Sequence, residues 1–229
     1  MTLKTNLIII FSCKHIQGLK LLNCVIMHKK IILAVVIILA IGVLFYAFKK
    51  SYPITNYPPQ GETIVAFGDS LVEGVGATTG NDLPSLLAKL IGEPIINMGV
   101  SGNTSADGLA RIDSVNAKNP KIVMVLFGGN DFLRKVPAEQ TFKNINDIVA
   151  GLQNEGAVVV LLGVKGGLLS DQYEERFAEI ARVRGALYVP NVLAGLLGNT
   201  QFMEDGIHPN DAGYKKIAER TYPVLKKAF

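Results

Sequence analysis

The chain has 229 residues, with 23 Lys and Arg against 19 Asp and Glu, a net charge of +4. Seven lysines, from Lys4 to Lys50, precede residue 51 with no acidic residue among them, so the remainder holds 16 basic against 19 acidic residues, net −3. A globular part of that charge lacks the basic stripe with which a nucleic-acid binder meets phosphates, and this excludes nucleic acid as a partner. Cys13 and Cys24 also precede residue 51, so the remainder holds no disulfide, thiolate nucleophile or Cys-ligated metal.

Along the chain, Ile31 to Phe48 is a run of 18 residues without a charge, flanked by His28, Lys29 and Lys30 on one side and Lys49 and Lys50 on the other. As a helix it is roughly 27 Å long, close to the hydrocarbon thickness of a bilayer. Ala47-Phe48-Lys49-Lys50 is no small-residue cleavage site, so the run reads as an uncleaved transmembrane signal anchor. Residues 1–30 are then cytoplasmic by the positive-inside tendency, and the rest lies outside the cytoplasmic membrane of a bacterium, facing the periplasm or exterior. Met27-His28-Lys29-Lys30 before the run is an ordinary start for an anchored protein, which makes residues 1–26 an upstream extension. Residues 49–62, with Pro53, Pro58, Pro59 and Gly61, read as a linker.

From residue 63 onward, short apolar runs alternate with longer amphipathic segments. Strands are expected at 63–67, 94–98, 121–127, 157–162 and 186–189, and helices at 82–91, 105–117, 138–154, 171–184 and 211–227. The strand runs are continuous and β-branched rather than alternating, the pattern of strands covered on both faces. Five strand–helix alternations make residues 63–229 a doubly wound, three-layer α/β/α domain with a parallel sheet. In such sheets ligands meet the loops at the carboxyl ends of the strands.

Those loops carry four notable segments. Gly68-Asp69-Ser70-Leu71 follows the first strand and presents a serine hydroxyl at the mouth of the sheet; an ordinary N-cap serine would have the same pattern. Gly99-Val100-Ser101-Gly102 follows the second, where glycines permit close backbone approach. Gly128-Gly129-Asn130-Asp131 follows the third, and its Asn130 could donate to an anionic oxygen. Asp205-Gly206-Ile207-His208 precedes the last helix. A serine nucleophile needs a base, and the base needs an acid to fix its tautomer. His208 is the only histidine beyond residue 28, and Asp205 stands three residues before it.

Taken together, these four segments resemble blocks I, II, III and V of the SGNH, or GDSL, hydrolases, and among them the small bacterial periplasmic arylesterases, acyl-CoA thioesterases and lysophospholipases. The resemblance implies a flavodoxin-like five-stranded sheet of order 2-1-3-4-5 and no cofactor. It makes Ser70 the nucleophile, with Asp205 and His208 completing a triad. The Ser70 amide, the Gly102 amide and the Asn130 side chain become the oxyanion hole. Val72 departs from the small polar residue of many relatives. The implied activity is hydrolysis of carboxylic ester or thioester bonds in small acyl or lipid-like substrates. Its rivals are a carbohydrate O-deacetylase of the same family and a non-catalytic binding module tethered at the membrane. A deacetylase would favour aromatic platforms, yet the chain has no Trp, while leucines such as Leu168, Leu169, Leu193, Leu196 and Leu197 could line an acyl groove. A Walker A pattern is absent, Gly74-Val75-Gly76 leads to Thr79 where a dinucleotide fingerprint needs its third glycine, and the G-x-S-x-G elbow is absent too.

The anchor is tested by washing native membranes with alkaline carbonate, after which the protein is expected to stay with the lipid, with an intact mass that starts at Met27. Release by carbonate would contradict the anchor, and peptides preceding Met27 would contradict the start.

Overall fold

The computed structural model describes residues 30, 32–42, 53–165 and 172–229. It forms two compact units, Met1–Ser51 and Tyr52–Phe229. In the first, residues 32–42 are helical and exposed. The rest of the expected 31–48 span, residues 31 and 43–48, lies outside the described residues, as do the upstream segment 1–29 and Leu168 and Leu169. Among the described residues no helix is long and apolar enough to cross a membrane.

The second unit is built on five parallel strands: β1 Thr63–Gly68, β2 Ile95–Gly99, β3 Pro120–Leu126, β4 Val158–Leu162 and β5 Leu187–Val189. Their order is β2-β1-β3-β4-β5, the order that the family resemblance implies. Consecutive residues of β1, β3 and β4 are buried, so both faces of the sheet's centre are covered and the continuous apolar runs are explained. The edge strand β2 is only half-buried, and its sequence includes a polar side chain, Asn97, in its middle.

Between the strands lie α1 Ser70–Glu73, α2 Leu83–Ile91, α3 Ser105–Ala110, α4 Ile112–Asn116, α5 Gly129–Leu133, α6 Ala138–Asn154 and α7 Gln172–Arg184, and α8 Asp211–Leu225 follows β5. Helix α2 packs on α8, and α6 packs on α3, α4 and α7. The start of α2 follows from its sequence: the Asp82 side chain accepts the Ser85 amide and Pro84 fills an early helical position. The single helix expected over 105–117 is instead two, meeting at Arg111 with φ −116° and ψ 17°. Ser114 turns its hydroxyl back on the Arg111 carbonyl at 2.6 Å and Gly108 weakens the preceding helix, while the Arg111 side chain is drawn to acceptors on Gly68, Met98 and Asn103.

The linker expected over 49–62 is narrowed by the structure. The second unit begins at Tyr52, and Thr55 and Asn56 are bonded to it. The Thr55 hydroxyl donates to the Arg184 carbonyl at 2.7 Å, and the Asn56 amide to the Gln153 and Ala157 carbonyls at 2.7 and 3.0 Å. Polar turn residues thus spend their side chains on the ends of α6, β4 and α7 rather than on water.

The carboxyl ends of the strands are drawn tightly together. A Cβ added to Gly99, the last residue of β2, would lie 2.0 Å from the Glu73 nitrogen at the end of α1. Only glycine permits this approach, and it brings the loop after β2 against the turn that carries Ser70.

Candidate active site

Ser70 is the first residue of α1, immediately beyond β1. Asp69 caps this short helix: its Oδ1 accepts the Leu71 amide at 3.0 Å. The Ser70 amide occupies a helix-start position for which helical geometry supplies no acceptor. Its hydroxyl meets His208, whose Nε2 lies 3.1 Å from Ser70 Oγ. The other ring nitrogen, Nδ1, lies 2.7 Å from Asp205 Oδ2. A proton on Nδ1, donated to Asp205, leaves Nε2 free to accept from the serine hydroxyl. Residues 138 positions apart therefore form one hydrogen-bonded line of Ser70, His208 and Asp205.

The loop carrying His208 is closed on itself. Met203 and Pro209 form an antiparallel bridge, the Glu204 amide donates to the His208 carbonyl at 2.9 Å, and the Asn210 side chain caps α8 by accepting the Gly213 amide. Within the loop, Asp205 Oδ1 accepts the amides of Ile207 and His208, both at 2.7 Å. The His208 side chain foremost, and then these two amides, hold the exposed Asp205 carboxyl down at about 2. It thus stays ionised wherever His208 can act as a base.

The loop is also tied to the Ser70 turn from below. Tyr214 on α8 donates to the Val75 carbonyl at 2.9 Å, while Asp211 accepts from the Thr78 amide and hydroxyl at 2.7 Å each and from Asn81 at 2.9 Å. Gly76, at φ +90°, lets residues 74–82 lie against the histidine loop: a Cβ there would be 2.4 Å from the Pro209 carbonyl oxygen.

The two expected donor loops are joined to each other. Gly102 sits at φ +79°, and its carbonyl accepts from the Arg134 guanidinium at 2.8 Å. The preceding Ser101 amide donates to the Glu73 carboxylate. Asn130, on α5, donates its side-chain amide to the Asn103 carbonyl at 3.0 Å and makes a longer contact of 3.5 Å with Asp69 Oδ2. The Asn130 amide is therefore carried beside the Ser70 turn. The neighbouring Asp131 is buried and accepts from the Ser105 amide and hydroxyl, which fixes α5 against α3. Among the described residues, no group of three or more His, Cys, Asp or Glu is placed to hold a metal ion.

Sequence reasoning did not single out Asp69, Glu73 or Asp211. For Asp69 a signal existed, since Asp before a helix start is an N-cap pattern. For Asp211 and Glu73 there was none, because their partners lie 133 and 28 residues away. Asp69 is 2% exposed, and burial first, with the nearby Asp131 charge adding, pushes its carboxyl up to about 7.

The comparisons with known proteins fall into line with this geometry. Residues 66–216 match the model of the GDSL-like Lipase/Acylhydrolase family. The esterase TesA of Pseudomonas aeruginosa is 34% identical over 180 residues, covering 72% of this chain and 88% of that protein. Thioesterase 1/protease 1/lysophospholipase L1 of Escherichia coli K12 is 27% identical over 175 residues, covering 72% and 84%. A crystal structure of TesA superposes with a TM-score of 0.66 at 31% identity, covering 73% of this chain and all of that one. The fold is an α/β fold of the SGNH-hydrolase kind. The chain belongs to the GDSL-like lipase/acylhydrolase family, whose members act on ester bonds.

The Asp69 shift has a measurable consequence. A carboxyl whose folded pKa is raised to about 7 keeps its proton where the unfolded chain, with a carboxylate pKa of about 3.9, has lost it. Its contribution to stability is full below about pH 4 and is lost as pH rises towards 7. Asp69→Asn removes that loss, so the stability gained by the variant over wild type grows on the order of 2–4 kcal/mol between about pH 4 and 7. Urea melts at several pH values read it directly, and a difference independent of pH would contradict the burial argument.

Proposed function

We propose that this chain is a serine esterase that cleaves carboxylic ester or thioester bonds of small or lipid-like acyl substrates through an acyl-enzyme on Ser70. The observation that carries the reading is the line Ser70 Oγ–His208 Nε2 at 3.1 Å and His208 Nδ1–Asp205 Oδ2 at 2.7 Å. Family membership and the esterase and thioesterase names of the relatives support the class of bond.

On this reading His208 Nε2 takes the Ser70 proton as Oγ attacks the acyl carbon. Asp205, ionised and exposed, stabilises the imidazolium and keeps its ring in place. Negative charge gathers on the former carbonyl oxygen, which the Ser70 and Gly102 amides and the Asn130 side chain receive. The tetrahedral centre collapses, the bond to the leaving alcohol or thiol breaks, and that group departs with the proton from His208. Water then attacks the acyl-enzyme, giving its proton to His208, and Ser70 Oγ leaves as the hydroxyl, reprotonated by the same ring. Each oxyanion donor contributes on the order of 10²–10³ in rate. The run 31–48 tethers this chemistry at the outer face of a bacterial cytoplasmic membrane.

Ser70→Ala removes the nucleophile and leaves the fold untouched, since among the described residues its hydroxyl bonds to His208 alone. Hydrolysis of p-nitrophenyl acetate is expected to fall by at least about 10³-fold while the thermal melt stays near that of wild type. A folded variant with full activity would refute the assignment of Ser70.

A further inference from the structure

Arg111 is the residue on which the end of β1, the end of β2 and the first donor loop converge. Its backbone stands at the break between α3 and α4, so its side chain leaves the helical row and crosses the carboxyl ends of the sheet. Nη2 donates to the Gly68 carbonyl at 2.8 Å, at the end of β1 and two residues before Ser70. Nη1 donates to the Met98 carbonyl at 3.0 Å, near the end of β2. Nε donates to Asn103 Oδ1 at 2.8 Å. The guanidinium carbon lies 4.4 Å from the centroid of the Phe67 ring, which fixes its plane as well as its edge. Three segments are thus pinned by one rigid fork.

The third bond matters most for chemistry. Asn103 takes the Arg111 Nε proton on its side chain and the Asn130 amide on its backbone carbonyl at 3.0 Å. The Asn130 side-chain amide is held beside the Ser70 turn by this carbonyl and a contact of 3.5 Å to Asp69. We infer that Arg111 is a positioning residue that sets the Asn130 side chain against the oxyanion by holding Asn103 in register with Gly68. Lysine cannot replace it, because a single ammonium cannot reach three diverging acceptors or stack its plane on Phe67. The inference rests on the oxyanion role proposed for Asn130.

A double-mutant cycle with Asn130→Ala tests it in the full-length chain on a p-nitrophenyl ester. Asn130→Ala alone is expected to lower kcat on the order of 10²–10³-fold. Arg111→Ala lowers kcat on the order of 10–10²-fold with KM unchanged, and in the Asn130→Ala background it costs less than about threefold, because the group it positions is gone. Arg111→Lys and Asn103→Ala are milder variants that show the same masking if Arg111→Ala does not fold. Losses that multiply in full, or folded Arg111→Lys and Asn103→Ala with wild-type kcat, would overturn the positioning role and leave the nucleophile assignment standing. An Asn130→Ala variant with undiminished kcat would instead refute the oxyanion reading beneath it.

Discussion

Everything at the mouth of this sheet depends on bringing one imidazole nitrogen within 3.1 Å of a serine hydroxyl 138 residues earlier in the chain. The sheet order makes the task demanding. Ser70 follows β1, inside the sheet, whereas the chain before His208 leaves from β5 at the far edge. Residues 190–210 must return across the carboxyl ends. What fixes their landing is α8, which packs on β5, on β4 and on α2. The bonds from Asp211 and Tyr214 to residues 75–81 then hold the loop in place. A hydrogen bond between charged and neutral partners contributes modestly by itself, but its position is set by a whole layer of helices.

Two aspartates show how environment divides the work of one side-chain type. Asp69 is buried beside Asp131 and is pushed up to about 7, while Asp205 lies exposed, receives three donors and is held at about 2. The first caps the nucleophile helix at the cost of desolvating a carboxyl. The second offers a permanent negative charge to the histidine. Environments that separate the pKa values of chemically identical groups are what acid–base chemistry at neutral pH requires.

The sequence made the strands legible because buried parallel strands leave continuous β-branched runs, and Val158–Leu162 and Pro120–Leu126 fell within a residue or two of expectation. Ser70, Asp205 and His208 were legible for a different reason. The only histidine beyond residue 28 had to be the base if there was a serine nucleophile, and Asp205 lay close enough in sequence to share its loop. What escaped were features whose partners are distant: the break at Arg111, the Asp211 ties to Thr78 and Asn81, and the Asn103 carbonyl that carries Asn130. Local periodicity saw one helix over 105–117 because it cannot register that a side chain is needed on the sheet. The attachment of Thr55 and Asn56 was invisible for the same reason, since proline-containing polar stretches look alike whether they hang free or bond to a domain.

The central claim is that Ser70 is a nucleophile made reactive by His208. A p-nitrophenyl alkylphosphonate, which phosphonylates active serines with loss of p-nitrophenolate, tests it most directly, read by intact mass and peptide mapping. The account predicts one adduct per chain, located on Ser70, and at least about a hundredfold slower labelling in His208→Ala. An adduct on another residue, or labelling of Ser70 at the same rate without His208, would contradict it.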